Sequence, residues 1–568
     1  MSTAIAPRPW GATERRLCLV VSLIAAALWL PRLRGPIDLR YDAGVYYVLG
    51  VSLGEGRGYR LLNEPGAIEA IQYPPLLPAI GALHRVVVGT SDPVVLGSAL
   101  RLTAAALFIG YAVAVFALAR RVVPPKFAFI ATLMAILNAQ MLFLSDSFAA
   151  DVPYAALSTF FFLAPPGVGA GLLAVATYGL RTAGVALLVA WVMESLLRRR
   201  FRQAAARGAT AIVAVGVWQG YVAMVKSHPT YDQPAYAYQR ADYQYYNVGY
   251  AENMAYVDPF RPELGRASTR QLANRVWTNL KVVPTSIGEA TTLHRGWLVG
   301  EVNRVHERLP WLAIPDWTVT LTLFAMSAVV VAGLAVLAVR GHWLLVIYAA
   351  GSVALITLTP WPGQFNRYLL PLAPILTLAF VSVPAAVAER AGRASTRAWR
   401  LASTAGTVVI AFVLVQQLYT VLKVFTKHHQ PAVMADRSGR THEYRLLFYD
   451  RSWRLHDDAL DSLRGVTRSG AAGIIGTSTP HLAYLRTGLR SIMPPYEIDP
   501  NRAQQLLEQA PVDYLVVDEL EFLDVSRRYA APVVTQFPDR WSLLFTPNDS
   551  GPRIYRRMGN GPSSGASK

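Results

Sequence analysis

"LTLFAMSAVVVAGLAVLAV", residues 321–339, contains no charged side chain. An uninterrupted apolar run close to the roughly 20 residues needed to cross a hydrocarbon core reads as a membrane-spanning helix. Similar runs recur on both sides of it. Across 568 residues the chain is 53% hydrophobic and 16% charged, which is too apolar for a soluble protein and predicts an α-helical polytopic membrane protein. The formal net charge of +18 raises nucleic acid as a partner, but the distribution of charge argues against it. Basic residues cluster between the apolar runs, at Arg15/Arg16, Arg120/Arg121/Lys126, Arg198–Arg202, Arg340 and Arg390–Arg400, which is the positive-inside pattern. The single cysteine, Cys18, excludes an intrachain disulfide and a cysteine metal cluster. The first apolar run, 17–33, continues without a small-residue cleavage motif and reads as a retained helix.

With the basic clusters set on the cytoplasmic side, spans are expected at 17–33, 96–118, 127–144, 153–166, 168–180, 183–197, 208–226, 316–339, 342–359, 368–388 and 401–423. Pro165-Pro166-Gly167 interrupts one run, so the helix count within 147–197 stays open. About eleven spans place the N-terminus inside and the C-terminus outside. The expected organisation is a transmembrane module over 1–423 with outer segments 34–95 and 227–315, an extracytoplasmic α/β domain over 424–558, and a disordered tail at 559–568. Segment 34–95 should hold an amphipathic helix near 43–54, a turn at "GEGRGY" (54–59) and a second helix at 74–89. In the C-terminal domain, strand-like runs at 472–477, 512–520 and 541–546 alternate with a helical pattern at 501–509. The tyrosine-rich run 231–256 could stack on sugar rings or line the membrane interface; both readings stay open. His428-His429 lacks partners at metal-binding spacing.

Five charged residues fall in short segments on the expected outer face, where the topogenic clusters are absent. Asp42 lies in "LRYDAGVYY" (39–47), Asp146 and Asp151 in "SDSFAADVPY" (145–154), Arg181 in "GLRTAG" (179–184) and Arg367 in "GQFNRYLLPL" (363–372). Each alone fits a helix cap or an interfacial charge. Together, on the face that the positive-inside bias leaves poor in arginine, they are better explained by a shared site. Guanidinium groups bind phosphate bidentately, and a carboxylate can act as a base or hold a metal ion.

"YDAGVYYVLGVSLGEGRGY" (41–59), "YPPLLPAI" (73–80), "DVPYAALSTFFF" (151–162), "LRTAGVALL" (180–188) and "RYLLPLAPIL" (367–376) occur in that order. This ordered set resembles the C-type integral-membrane glycosyltransferases, the group holding protein O-mannosyltransferases and lipid A aminoarabinose transferases. The resemblance covers most of 15–425. It implies the C-type fold, a sugar donor on a polyprenyl phosphate, and transfer with inversion to an extracytoplasmic lipid, glycan or protein. It also implies that Asp42 is the general base, that Asp151 fills the second acidic position with Asp146 as its rival, and that Arg367 faces the donor phosphate. Tyr73 stands where aminoarabinose transferases carry a phosphate-binding lysine, so the donor-phosphate partners to expect are Arg367 and Arg181, with Tyr73 at the lysine's position.

A lipid or glycan transporter is the alternative. Transporters carry buried mid-membrane charges and internal repeats, whereas these spans carry almost no such charges and no repeat is visible. The arginine- and alanine-rich composition is compatible with a bacterial inner membrane. The sugar, the acceptor, the oligomeric state and any role for a divalent metal ion stay open.

Overall fold

The computed structural model describes residues 9–312, 314–394, 396–464, 473–521, 523–547 and 551–558. The tail read as disordered, 559–568, and Ala472, with which one expected strand begins, lie outside the described residues. The chain divides into two compact units. One comprises 1–34, 101–219 and 269–429, the other 35–100, 220–268 and 430–568. The outer segment expected at 227–315 therefore divides between the units at residue 269.

The chain is a polytopic α-helical membrane protein, and each expected span falls on a helix. Among the described residues, five helices are long and apolar enough to cross a membrane: Pro93–Ala119, Phe201–Ser227, Trp317–Val339, Pro362–Arg393 and Arg397–His428. Helix length and composition thus support five crossings directly, or six if the bent pair below is one span. Other expected spans are shorter helices, such as Asp151–Leu163, Val168–Leu180 and Trp343–Ile356. Proline and glycine at 165–167 do break the run there: one helix ends at Leu163 and the next begins at Val168.

The expected span 127–144 is not one straight helix. Pro125–Ile136 and Ala139–Ser145 meet at 63°. Asn138 causes the break, because its side chain accepts hydrogen bonds from the amides of Gln140 and Met141 and so starts a new helix. Phe201–Ser227 leaves apolar side chains such as Ile212 and Val217 exposed, as expected of a face in contact with lipid. Between helices, Trp317–Val339 packs on Ala373–Ala394 at Gly333. A Cβ there would lie 1.8 Å from the Ala379 carbonyl oxygen, so only glycine permits this approach.

In the second unit a five-stranded mixed sheet has the order β4-β3-β5-β7-β6. The strands are β3 (Ile474–Gly476), β4 (Arg490–Ile492), β5 (Tyr514–Val517), β6 (Trp541–Phe545) and β7 (Arg553–Arg557). β3 runs parallel to β4 and β5, while β7 is antiparallel to β5 and β6. The helix Pro500–Gln509 stands where the pattern predicts one. β1 (His429–Ala435) and β2 (Thr441–Leu447) form a separate two-stranded sheet.

Helix Asp42–Gly54 is not amphipathic as expected. Every residue from Ala43 to Ser52 is buried, because Leu76–Val88 packs on one side and Pro480–Thr487 on another. The "GEGRGY" turn is confirmed, with Gly56 and Gly58 at φ of 71° and 83°. Part of the tyrosine run fits neither reading. Tyr236 and Tyr238 are buried against the sheet core with Ile492 and Leu515, and Tyr243 stacks on Tyr496.

Candidate functional site

Asp42 opens helix Asp42–Gly54, where its carboxylate meets the positive end of the helix dipole. The residue before it, Tyr41, has φ 55° and ψ −136°, outside the regions that a side-chain-bearing residue ordinarily occupies. Such strain persists only where surrounding structure over-determines it. Arg40 supplies that constraint. It is buried, ion-paired to Asp38 at 2.7 Å, and donates to the carbonyls of Leu447 at 2.8 Å and Phe448 at 3.0 Å.

Asp38 is thereby consumed by Arg40, whereas Asp42 stays partly exposed. Tyr73 donates its hydroxyl hydrogen to Asp42 Oδ1 at 3.3 Å. Burial, with the charge of Asp42 adding to it, holds the Tyr73 phenol well above its ordinary pKa, so it remains a donor. Tyr46 and Tyr250 pack on the Tyr73 ring, at 4.8 and 5.8 Å between centroids. Tyr246 meets His481 edge-on at 4.6 Å, and burial pushes the His481 imidazole down to about 3.

In the first unit, Asp151, Arg181 and Arg367 come together. Asp151 begins helix Asp151–Leu163 and is 3% exposed. Arg181 pairs with its Oδ1, and Arg367 Nη2 approaches Oδ2 at 3.3 Å. Arg181 projects from the junction between Val168–Leu180 and Val185–Leu197. That junction is tight: a Cβ on Gly184 would stand 2.7 Å from the Tyr178 backbone. Arg367 rides on the short helix Phe365–Leu369. One carboxylate against two guanidinium groups leaves a positive charge over. Both arginine side chains are 21% exposed, so an anion can reach them.

Asp146 stands elsewhere in that unit. It pairs with Arg101 at 3.1 Å, and both side chains are almost wholly buried. Arg32, buried nearby, donates to the Leu142 carbonyl at 2.9 Å and to Ser145 Oγ at 3.0 Å. Arg101 and Arg32 were absent from the sequence-based set. The signal for Arg101 was present, since an arginine inside the apolar run 96–118 needs a partner.

Among the described residues no three His, Cys, Asp or Glu side chains are grouped to hold a metal ion. Both Asp151 oxygens face guanidinium groups. This donor set does not fit a divalent cation.

ArnT from Cupriavidus metallidurans bound to undecaprenyl phosphate matches at 13% identity and a TM-score of 0.53, covering 97% of this chain and 100% of its own. An Archaeoglobus fulgidus oligosaccharyltransferase complex with Zn and sulfate matches at 13% identity and a TM-score of 0.52, covering 95% of this chain and 73% of its own. The chain has the C-type glycosyltransferase fold. No family model matches the sequence, and no curated protein does. At this identity the C-type match establishes architecture; assignment of chemistry rests on residues.

Proposed function

We propose that this protein is an inverting glycosyltransferase that moves a sugar from a polyprenyl-phosphate donor to an extracytoplasmic lipid, glycan or protein. In this reading the N-terminus is cytoplasmic, the C-terminal domain is extracytoplasmic, and the host is the cell membrane, most simply a bacterial inner membrane. The observation that carries it is the charge excess at Asp151, where two partly exposed guanidinium groups share one buried carboxylate at the end of an apolar helix. The ArnT structure of the same fold holds undecaprenyl phosphate, which supports a lipid-phosphate donor here.

Asp42 takes the proton from the acceptor hydroxyl as its oxygen attacks the anomeric carbon. The bond from that carbon to the phosphate oxygen breaks, the configuration inverts, and polyprenyl phosphate leaves. A positioned base contributes about 10²–10⁴-fold. Arg367 and Arg181 stabilise the charge that develops on the phosphate, and such preorganised cations act on the transition state more than on the ground state. Asp151 holds them as a positioning residue.

The test is a purified full-length protein supplied with labelled polyprenyl-phosphate sugars and envelope extracts as acceptor. Sugar transfer that requires Asp42 and leaves free polyprenyl phosphate supports the reading. Donor lipid moved across a vesicle membrane without cleavage overturns it in favour of a transporter.

A further inference from the structure

A second concentration of charge lies at the other end of helix Asp151–Leu163, about 18 Å along the axis from Asp151 at 1.5 Å per residue. There a cavity of about 390 Å³ is lined by Arg121, Arg198, Arg200 and Arg207, with Glu194 as its one carboxylate. Four guanidinium groups against one carboxylate leave three positive charges. Glu194 is already engaged, pairing with Arg207 at 2.8 Å and Arg198 at 3.1 Å. Arg121 donates to the Leu163 carbonyl at 3.2 Å, which ties it to the end of the helix. Arg200 is exposed.

The walls are apolar: Phe161, Phe162, Trp191 and Leu345. Flanking residues Val168, Leu197, Phe201 and Trp343 are large, apolar and exposed, on helices whose composition is that of membrane segments. A cationic pocket with apolar walls, on helices of membrane composition, is suited to a ligand that is anionic at one end and aliphatic at the other. The volume lies within the range of small-molecule pockets.

We propose that this cavity binds the phosphate headgroup of an anionic membrane lipid, with the acyl chains lying along the flanking apolar residues. Arg121 and Arg200 reach the phosphate, since arginine binds phosphate oxygens through paired N–H donors. Arg198 and Arg207 hold the basic wall through Glu194. The assignment does not depend on the glycosyltransferase reading, because none of these residues belongs to the candidate site.

Native mass spectrometry of the full-length protein, extracted from nanodiscs of equal phosphatidylglycerol and phosphatidylcholine, measures which lipid is retained. The wild type retains phosphatidylglycerol preferentially. Arg121→Gln/Arg200→Gln lowers that preference about 25-fold, taking about fivefold for each basic residue near a membrane surface. Gln203→Glu, which adds a carboxylate to the lining without emptying the core, lowers it too. An unchanged thermal midpoint in phosphatidylcholine alone establishes that each variant is folded. Equal retention of the two lipids by the wild type, or undiminished preference in both folded variants, overturns the proposal. So does inorganic phosphate, if at millimolar concentration it stabilises the protein as much as phosphatidylglycerol does, because the ligand is then a soluble phosphate.

Discussion

Tyr73 and Asp42, 31 residues apart, are joined by a 3.3 Å hydrogen bond from the phenol to the carboxylate. The bond orients one Asp42 oxygen and leaves the carboxylate partly exposed. If Asp42 is the base, Tyr73→Phe removes one orienting contact and lowers kcat about 3- to 10-fold, the equivalent of roughly 0.5–1.5 kcal/mol. Asp42→Asn keeps the shape but cannot take a proton at neutral pH, so kcat falls by about 10² or more with donor affinity nearly unchanged. Steady-state kinetics on both variants check this. A fully active Asp42→Asn enzyme would remove Asp42 from the mechanism.

Asp146 is bound to Arg101 in a nearly water-free setting. Replacing one member strands the other, at a cost of about 3–5 kcal/mol, whereas replacing both with apolar residues of similar volume is often neutral. Asp146→Leu and Arg101→Met are each expected to lower the thermal midpoint strongly, and the double variant to recover most of the loss. Additive losses in a double-mutant cycle would show that the two do not act as a pair.

Much of this was legible from the chain because hydrophobic runs and the positive-inside bias are local signals. They located the helices and marked Arg181 and Arg367 as anomalous. Residues whose roles depend on distant packing were not legible. Nothing local in "DAGVYYVLGVS" distinguishes a helix buried all round from an amphipathic one, since burial comes from Leu76–Val88 and Pro480–Thr487. Likewise, Asp146 and Asp151 look equivalent in "SDSFAADVPY". Only their partners, Arg101 for one and Arg181 with Arg367 for the other, separate them.

His481 is buried beside Tyr246, and burial lowers its pKa to about 3 from an ordinary 6.5. The unfolded chain therefore binds a proton between those values that the folded chain does not. Stability contributed by the neutral ring is fully present above about pH 6.5 and is lost as pH falls toward 3, at up to about 1.4 kcal/mol per pH unit. His481→Phe keeps a ring and removes the titration. Denaturant midpoints measured from pH 7 to pH 4 should decline less steeply in this variant than in the wild type; parallel curves would exclude His481 as a source of acid sensitivity.

Asp151 divides two roles that ordinary loss of activity would confuse. As a base it would reduce kcat and shift the acidic limb of the pH profile. As the counter-ion of Arg181 and Arg367 it would act on the donor phosphate through them. Asp151→Asn leaves both guanidinium groups without their anionic partner, so they splay apart. The expected result is a fall in kcat/KM for the donor of about tenfold or more with an unchanged pH profile, together with a lower thermal midpoint because a buried pair is broken. Arg367→Ala removes a charge-assisted contact worth roughly 1.5–3 kcal/mol, or about 10- to 150-fold in donor use. In Asp151→Asn the same Arg367→Ala change should cost less, because the arginine there is already misplaced. Fully independent effects on kcat/KM in that double-mutant cycle would show that Asp151 does not work through Arg367.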